Sequence, residues 1–192
     1  MTHPFFSELN ETLICEHKTN SWNTDDTTPY HCHDGYEILV FIGGHASFFV
    51  ENDGKILEPG DIVCCPPGAF HRAMPLQDKA YDRFLIAIPH EQLEKLNTVN
   101  TNLASCFFRG RASLPLLHPS QNTFQKILSC CRELEQCLAE HIYGWDVLCT
   151  ALLSQILVML NQEKAVLSAP SFSNPIPPLV SEIYDYLSLI HI

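Results

Sequence analysis

Residues 31–44 read HCHDGYEILVFIGG, and residues 60–71 read GDIVCCPPGAFH. Each stretch joins a run of strand-forming residues to a turn that contains glycine or proline. A further run of this kind, YDRFLIAI, occupies residues 81–88. Many short strands separated by turns are typical of a β-sandwich or barrel. The sequence therefore predicts a mainly β fold in its first half.

The same two stretches contain a candidate set of metal ligands. Side chains two residues apart share one face of an extended strand, so His31, His33 and Glu37 lie together if the strand is unbroken. Gly35 can introduce a bulge that disturbs this alignment. His71 comes from another strand, after a Pro-Pro-Gly turn. If the two strands are neighbours, three nitrogens and one carboxylate oxygen converge, a set that suits Zn, Ni, Mn or Fe.

The composition bounds the class of protein. The 192 residues are 46% hydrophobic, which is typical of one globular domain with a full core, and no secretion signal opens the chain. Nine cysteines in such a chain indicate reduced thiols and a cytoplasmic protein. The net charge of −11 argues against direct binding to nucleic acid, because an acidic surface repels phosphates.

After residue 118 the pattern changes to that of two helices. Ser120 is a plausible N-cap, and Tyr143-Gly144 marks a junction between the helices. Apolar residues recur at helical spacing on both sides of this junction: Phe124, Ile127, Leu128, Cys131, Leu134 and Leu138, then Trp145, Leu148, Leu152, Ile156 and Met159. The second helix is apolar over so much of its circumference that it needs two partners. A second copy of the chain and burial within one monomer are equal alternatives for the outer partner.

The most apolar run, residues 145–160, is interrupted by polar residues, so we expect no membrane span there. Residues 167–178 are rich in proline and serine and predict a linker. Residues 179–186 have helical spacing, and the end of the chain after them indicates a truncated protein. Residues 187–192, LSLIHI, look like the translation of a sequencing-adaptor fragment, with a genuine short helix as the alternative.

The ligand spacing carries a family resemblance. His31-x-His33-x3-Glu37-x6-Gly44 resembles the first cupin motif, and Gly60-x5-Pro66-x-Gly68-x2-His71 resembles the second. Two positions depart from the motifs: Asp25 replaces the glycine expected before the first histidine, and Pro75 replaces the asparagine expected after the last. The resemblance covers residues 29–75 and implies a cupin-like, jelly-roll type β-barrel.

The whole chain is similar to the AraC-type transcription regulators within that superfamily. The order is an N-terminal arm and barrel over 1–118, a helical pair for dimerisation over 119–166, and the linker. Residues 179–186 lie where the DNA-binding domain of that family begins. The resemblance implies a small-molecule effector, a homodimer, and DNA contact only through a domain absent from this chain.

Three interpretations of the histidine set remain open at the level of sequence. It is a polar pocket without metal, a metal-binding sensor site, or the centre of a metal-dependent cupin enzyme such as an oxygenase or isomerase. The helical pair and linker favour a sensor, since an isolated enzyme needs neither. The predicted ligand-binding residues are His31, His33, Glu37, His71, Phe41 and Arg72, with Arg83 as a second possible anchor for an anion.

Overall fold

The computed structural model describes residues 12–21, 29–75, 80–108 and 115–168. Two antiparallel sheets form the β part, with the strand orders β1-β7-β2-β5-β8 and β4-β3-β6. The strands are β1 Ile14–Ser21, β2 Tyr36–Gly44, β3 Ala46–Val50, β4 Asp53–Ile56, β5 Ile62–Cys65, β6 His71–Pro75, β7 Ala80–Ile88 and β8 Leu116–Leu117. The helices are α1 His90–Leu96, a 3-10 helix Leu103–Phe107, α2 Gln121–Glu140 and α3 Trp145–Ser168.

Strand β2 divides the core into two parts because its side chains alternate between faces. Leu39 and Phe41 point into the barrel, where they pack with Phe48 of the second sheet. Ile38 and Val40 point the other way and pack with the helices. All five are buried. One continuous apolar strand therefore serves both a barrel interior and a helix-covered face, which explains why the run has no simple alternation of polar and apolar residues.

Capping residues set the limits of α2 and the start of α3. The Ser120 hydroxyl accepts a hydrogen bond from the Thr123 amide at 3.2 Å. The helix ends at Glu140, after which His141 adopts a left-handed conformation with φ of 49°. Gly144, with φ of 81°, then turns the chain into α3. The two helices form the predicted antiparallel pair, joined by a short turn.

The fold class predicted from the sequence, a cupin-like β-barrel followed by two antiparallel helices, is confirmed. The structure adds elements that the sequence did not indicate. Strand β1 lies within the predicted polar arm and pairs with β7 along its whole length. Helix α1 follows β7 and contacts the 3-10 helix, which packs against α3 and β5. Helix α3 extends to Ser168, and the rest of the predicted linker, with residues 179–192, lies outside the described residues.

Helix α3 is more apolar than expected from the polar residues that interrupt it. Its 21-residue segment Trp145–Ala165 has a mean hydropathy of 1.2, enough by length and composition alone to cross a membrane. In the fold, however, Leu153, Ile156 and Leu157 have no exposed surface and belong to the core shared with α2 and β2. The apolar character of this helix is therefore accounted for, on its inner face, by packing against the barrel.

Candidate functional site

Two backbone hydrogen bonds hold His31 and His71 side by side. The His71 amide donates to the His31 carbonyl at 2.9 Å, and the His31 amide donates to the His71 carbonyl at 3.1 Å. This antiparallel bridge attaches His31 to β6, at the edge of the three-stranded sheet. The two imidazole rings are consequently 4.4 Å apart between centroids.

His33 and Glu37 reach the same place by a different route. The chain bends at residues 34 and 35, leaves β6 and enters β2 of the other sheet at Tyr36. The expectation that His31, His33 and Glu37 lie along one unbroken strand is therefore corrected, because the break at Gly35 separates them. The carboxylate of Glu37 instead faces the histidines from the opposite sheet. His31, His33, Glu37 and His71 together form a cluster that we call the tetrad.

Each imidazole of the tetrad is oriented by a backbone carbonyl. The Nδ1 atoms of His31, His33 and His71 lie 3.1, 2.9 and 2.8 Å from carbonyl oxygens two residues away in the chain. A carbonyl oxygen only accepts, so Nδ1 carries the proton in all three rings. In the neutral imidazole this leaves the lone pair on Nε2. Hydrogen bonds of this kind commonly fix the orientation of metal-bound histidines.

The free ring nitrogens converge on the carboxylate of Glu37. His33 Nε2 is 3.3 Å from Glu37 Oε2, and His71 Nε2 is 3.5 Å from Glu37 Oε1. The second distance is that of an ion pair rather than a good hydrogen bond, and His71 Nε2 has no hydrogen-bond partner. One candidate ligand atom from each of the four residues lies within 4.8 Å of every other. His33, Glu37 and His71 are buried, and His31 is half-buried at the rim.

The electrostatics of the tetrad keep Glu37 ionised. Burial by itself raises the pKa of this carboxyl, but the hydrogen bond with His33 and the electrostatic interaction with His71 outweigh burial and lower its pKa to about 2. For His71, burial lowers the pKa, and the interaction with Glu37 overcomes it and raises the pKa above its usual value. Burial, the largest effect, lowers the pKa of His31. A negative charge is thus fixed among three imidazoles.

The donor set fits a divalent metal ion. Each imidazole carries its proton on Nδ1 and offers the lone pair of Nε2, and Glu37 offers an ionised carboxylate. Zn, Ni, Mn and Fe accept this set of ligands. The unpartnered Nε2 of His71 is a buried polar atom for which a cation would provide the missing partner. The tetrad can therefore hold a metal.

The other two predicted binding residues, Phe41 and Arg72, lie in different places: Phe41 is inside the barrel and Arg72 is outside it. Phe41 lies in the barrel interior, with its ring 6.0 Å from that of Tyr81. Arg72 follows His71 in β6 and points to the opposite face, where its guanidinium lies 4.5 Å from the ring centre of Tyr30 and 5.2 Å from that of Phe49. Arg72 is therefore not brought to the tetrad.

Sequence reasoning missed one polar residue of the barrel interior, Tyr81. It lies in the same buried cluster as Phe41 and Phe48, and the guanidinium of Arg83 lies 4.0 Å from its ring centre. Phe48 in turn stacks on His71, with 5.9 Å between ring centroids. Side chains alternate between the two faces along β7, so the sequence indicated that Tyr81, Arg83 and Leu85 share a face. Only the pairing of β7 with β2 shows that this face is internal.

Comparison with known proteins identifies the family. A family model of the AraC-like ligand binding domain matches residues 20–157, which include the whole tetrad. This chain belongs to that family. No curated protein matches the chain. The AraC-like domain thus explains the barrel and most of the helical pair together.

Solved structures show the same fold at low sequence identity. ToxT from Vibrio cholerae strain SCE256, with an unsaturated fatty acid bound, has a TM-score of 0.54 and 13% identity, covering 86% of this chain and 59% of that one. ToxT from Vibrio cholerae O395, bound to (E)-4-(8-methylnaphthalen-1-yl)but-3-enoic acid, has a TM-score of 0.53 and 14% identity, covering 78% and 57%. This AraC-like chain therefore spans less than two thirds of the length of ToxT.

A cupin protein with a double-stranded β-helix fold, from Methanocaldococcus jannaschii, matches with a TM-score of 0.37 and 21% identity. That match covers 46% of this chain and 79% of the cupin.

Proposed function

We propose that this chain is the effector-sensing and dimerisation region of an AraC-type transcription regulator. It binds a small molecule in the barrel and relays that event to a DNA-binding domain on the C-terminal side of the linker. The observation that carries this proposal is the buried tetrad, a preformed polar site inside a ligand-binding fold. Two structures of the similar protein ToxT, each with a bound organic acid, support a small-molecule effector.

The effector site comprises the tetrad, Phe48, which stacks on His71, and Phe41, which belongs to the same apolar cluster as Phe48. The tetrad holds a divalent ion, Zn, Ni, Mn or Fe, through His31, His33, Glu37 and His71. When bound, this ion supplies a fixed positive charge that attracts an oxygen atom of the effector. The rim residue His31 is the only half-exposed member of the tetrad, so the effector enters on its side. The protein is cytoplasmic, which agrees with nine free cysteines.

Metal analysis tests the composition of the site. Protein purified without chelators is dialysed, loaded with Zn²⁺ or Ni²⁺, and measured by elemental analysis and calorimetry. We expect about one ion per chain for the wild type, and loss of at least about 90% of it in the double variant His33→Ala/His71→Ala. The matched control, His45→Ala/His90→Ala, removes two exposed histidines outside the tetrad and retains the ion. A wild type that takes up neither ion contradicts the metal and leaves a purely polar pocket.

A second measurement distinguishes the sensor from the metal-dependent cupin enzyme. The metal-loaded protein is incubated aerobically with each compound that it binds, and the mixture is analysed by mass spectrometry. A sensor returns the compound unchanged. Stoichiometric recovery after prolonged incubation supports the sensor, and multiple turnovers of an oxygenated or isomerised product contradict it.

A further inference from the structure

Within the described residues, three buried side-chain atoms have no hydrogen-bond partner: His71 Nε2, Arg72 Nε and the hydroxyl of Tyr81. A buried polar atom without a partner destabilises the folded state, so each one requires an explanation. His71 Nε2 belongs to the tetrad, and Arg72 lies on the outer face of β6. The hydroxyl of Tyr81 belongs to neither group.

Tyr81 is inside the barrel. Its side chain is only 3% exposed and is packed among Leu39, Phe41 and Phe48. Burial is the main cause that raises the pKa of its hydroxyl; the guanidinium of Arg83 lowers this pKa, and the charge of Glu37 raises it further. The hydroxyl therefore stays protonated at physiological pH and acts as a hydrogen-bond donor.

A positive charge accompanies this donor. The guanidinium of Arg83 stacks over the Tyr81 ring at 4.0 Å from its centre. Its Nη1 donates to the carbonyl oxygens of Tyr81 at 3.1 Å and Lys18 at 3.3 Å, which hold it in place. Arg83 is partly buried, so water screens its charge less than it screens a surface arginine. A donor beside a fixed cation complements an anionic oxygen better than a neutral one.

We infer that the effector is a small organic acid, and that Tyr81 recognises it by donating its hydroxyl hydrogen to the carboxylate. This inference rests on the proposed sensor function and names the ligand class of the same barrel. Arg83 adds a favourable electrostatic interaction from behind the Tyr81 ring. The apolar part of the acid contacts Phe41 and Leu85, which line the interior beside Tyr81.

The test compares acids with their own amides, which have nearly the same shape but no charge. Butyrate, benzoate and octanoate are titrated against butanamide, benzamide and octanamide by calorimetry, using the full chain. For the wild type we expect at least one acid to bind about tenfold or more tightly than its amide. In Tyr81→Phe the Kd of that acid increases about tenfold or more, since a hydrogen bond to a charged group is lost.

Tyr36→Phe is the matched control. Tyr36 is also a buried tyrosine of the same sheet, but it stacks on His90 at 5.6 Å on the side of the helices. This variant binds the acid with unchanged Kd. The thermal unfolding temperature distinguishes ligand recognition from a structural role, because loss of a structural hydrogen bond would lower it. Because the Tyr81 hydroxyl has no partner in the protein, Tyr81→Phe unfolds at the same temperature as the wild type or higher.

The contrary outcomes are distinct. An acid that binds Tyr81→Phe as tightly as the wild type overturns the role of Tyr81 and leaves the sensor intact. Binding only of amides, or of neutral sugars tested in parallel, overturns the assignment of an acid and again leaves the sensor intact. If none of these compounds binds the wild type, the assignment of a small organic acid is overturned, whereas the sensor function is judged separately by metal uptake and by the recovery of bound compounds.

Discussion

Local backbone geometry determines what the tetrad can bind. The carbonyl groups of Pro29, Gly35 and Ala69 each fix one imidazole. Each of these residues is two positions from its histidine, so a short segment orients its own ligand and no distant side chain is needed. The sequence therefore predicted which residues converge. It did not predict that Nε2 of each ring is directed into the tetrad, because that depends on the backbone conformation beside each histidine, which for His33 includes the bend at residues 34 and 35.

At Arg72 and Tyr81, identity alone did not determine which face a side chain occupies. Arg72 follows a histidine placed in a predicted strand, and Tyr81 begins another predicted strand, so either is a reasonable anion contact. Strand pairing decides between them, since His71 faces inward and its neighbour Arg72 must face outward. Tyr81 pairs with Gly44 and lies on the inner face. A shift of one residue in register would exchange the roles of inner and outer positions.

Asp61 supports the turn before β5, and its replacement should destabilise the barrel. This carboxylate has no exposed surface; it accepts the Glu58 amide at 2.9 Å and His118 Nδ1 at 2.8 Å. Asp61→Ala removes both hydrogen bonds from the turn and should reduce the free energy of unfolding by about 1–3 kcal/mol. Urea denaturation measures this change. The exposed Glu91, 3.7 Å from Lys95, provides a control in Glu91→Gln, and an equal loss there would refute the argument.

At the scale of elements, packing partners explain what the sequence did not reveal. The helical pair was predictable because Ser120 caps α2 and apolar residues repeat along both helices. Strand β1, ICEHKTNS, is mostly polar because it lies at the sheet edge, where only one side of the strand is paired. Its place follows from contacts distant in sequence, such as the His17 amide donating to Glu135 Oε1 of α2 at 2.6 Å.

Helix α3 holds the 3-10 helix by two side chains, and this contact should be measurable. Lys164 Nζ donates to the carbonyls of Ser105 and Phe108, the latter at 2.8 Å, and Asn161 Nδ2 donates to Leu103 O at 2.9 Å. Leu103 is the first residue of this short helix, and the Ser105 and Phe108 carbonyls lie near its C-terminal end, so the two side chains hold it at both ends. Lys164→Met keeps the aliphatic stem but loses both bonds, which should lower the free energy of unfolding by about 1–2 kcal/mol.

Hydrogen exchange locates that effect. In Lys164→Met, amide exchange should accelerate in residues 103–108. Exchange of the β2 amides should change only by the amount that the global free energy of unfolding changes. Lys126→Met, on the exposed side of α2, is the control and should change neither readout. Faster exchange spread evenly over the barrel would show that Lys164 acts on general stability rather than on the 3-10 helix.

At the scale of the whole molecule, α3 has an apolar stripe that no other described part of the chain covers. Val147, Leu148 and Val158 are 69%, 50% and 38% exposed, although the opposite face of the same helix is fully buried. Leu148, Ala151, Gln155 and Val158 are spaced by three and four residues, which is the seam spacing of paired helices. A second copy of the chain can cover this stripe, and the proposed dimerisation places it there.

The exposed stripe predicts a homodimer that dissociates when positive charges are introduced on both copies. Light scattering at micromolar concentration should give twice the chain mass for the wild type, and the mass of one chain for Leu148→Lys/Val158→Lys, because lysines brought together across the seam repel each other and desolvate poorly. Ile56→Lys changes an apolar residue of β4 that is 62% exposed and should leave the dimer intact. A monomeric wild type would contradict dimerisation. Dissociation by Ile56→Lys alone would instead place the dimer contact on the three-stranded sheet. The stripe on α3 would then be covered by another segment of the protein rather than by a second copy.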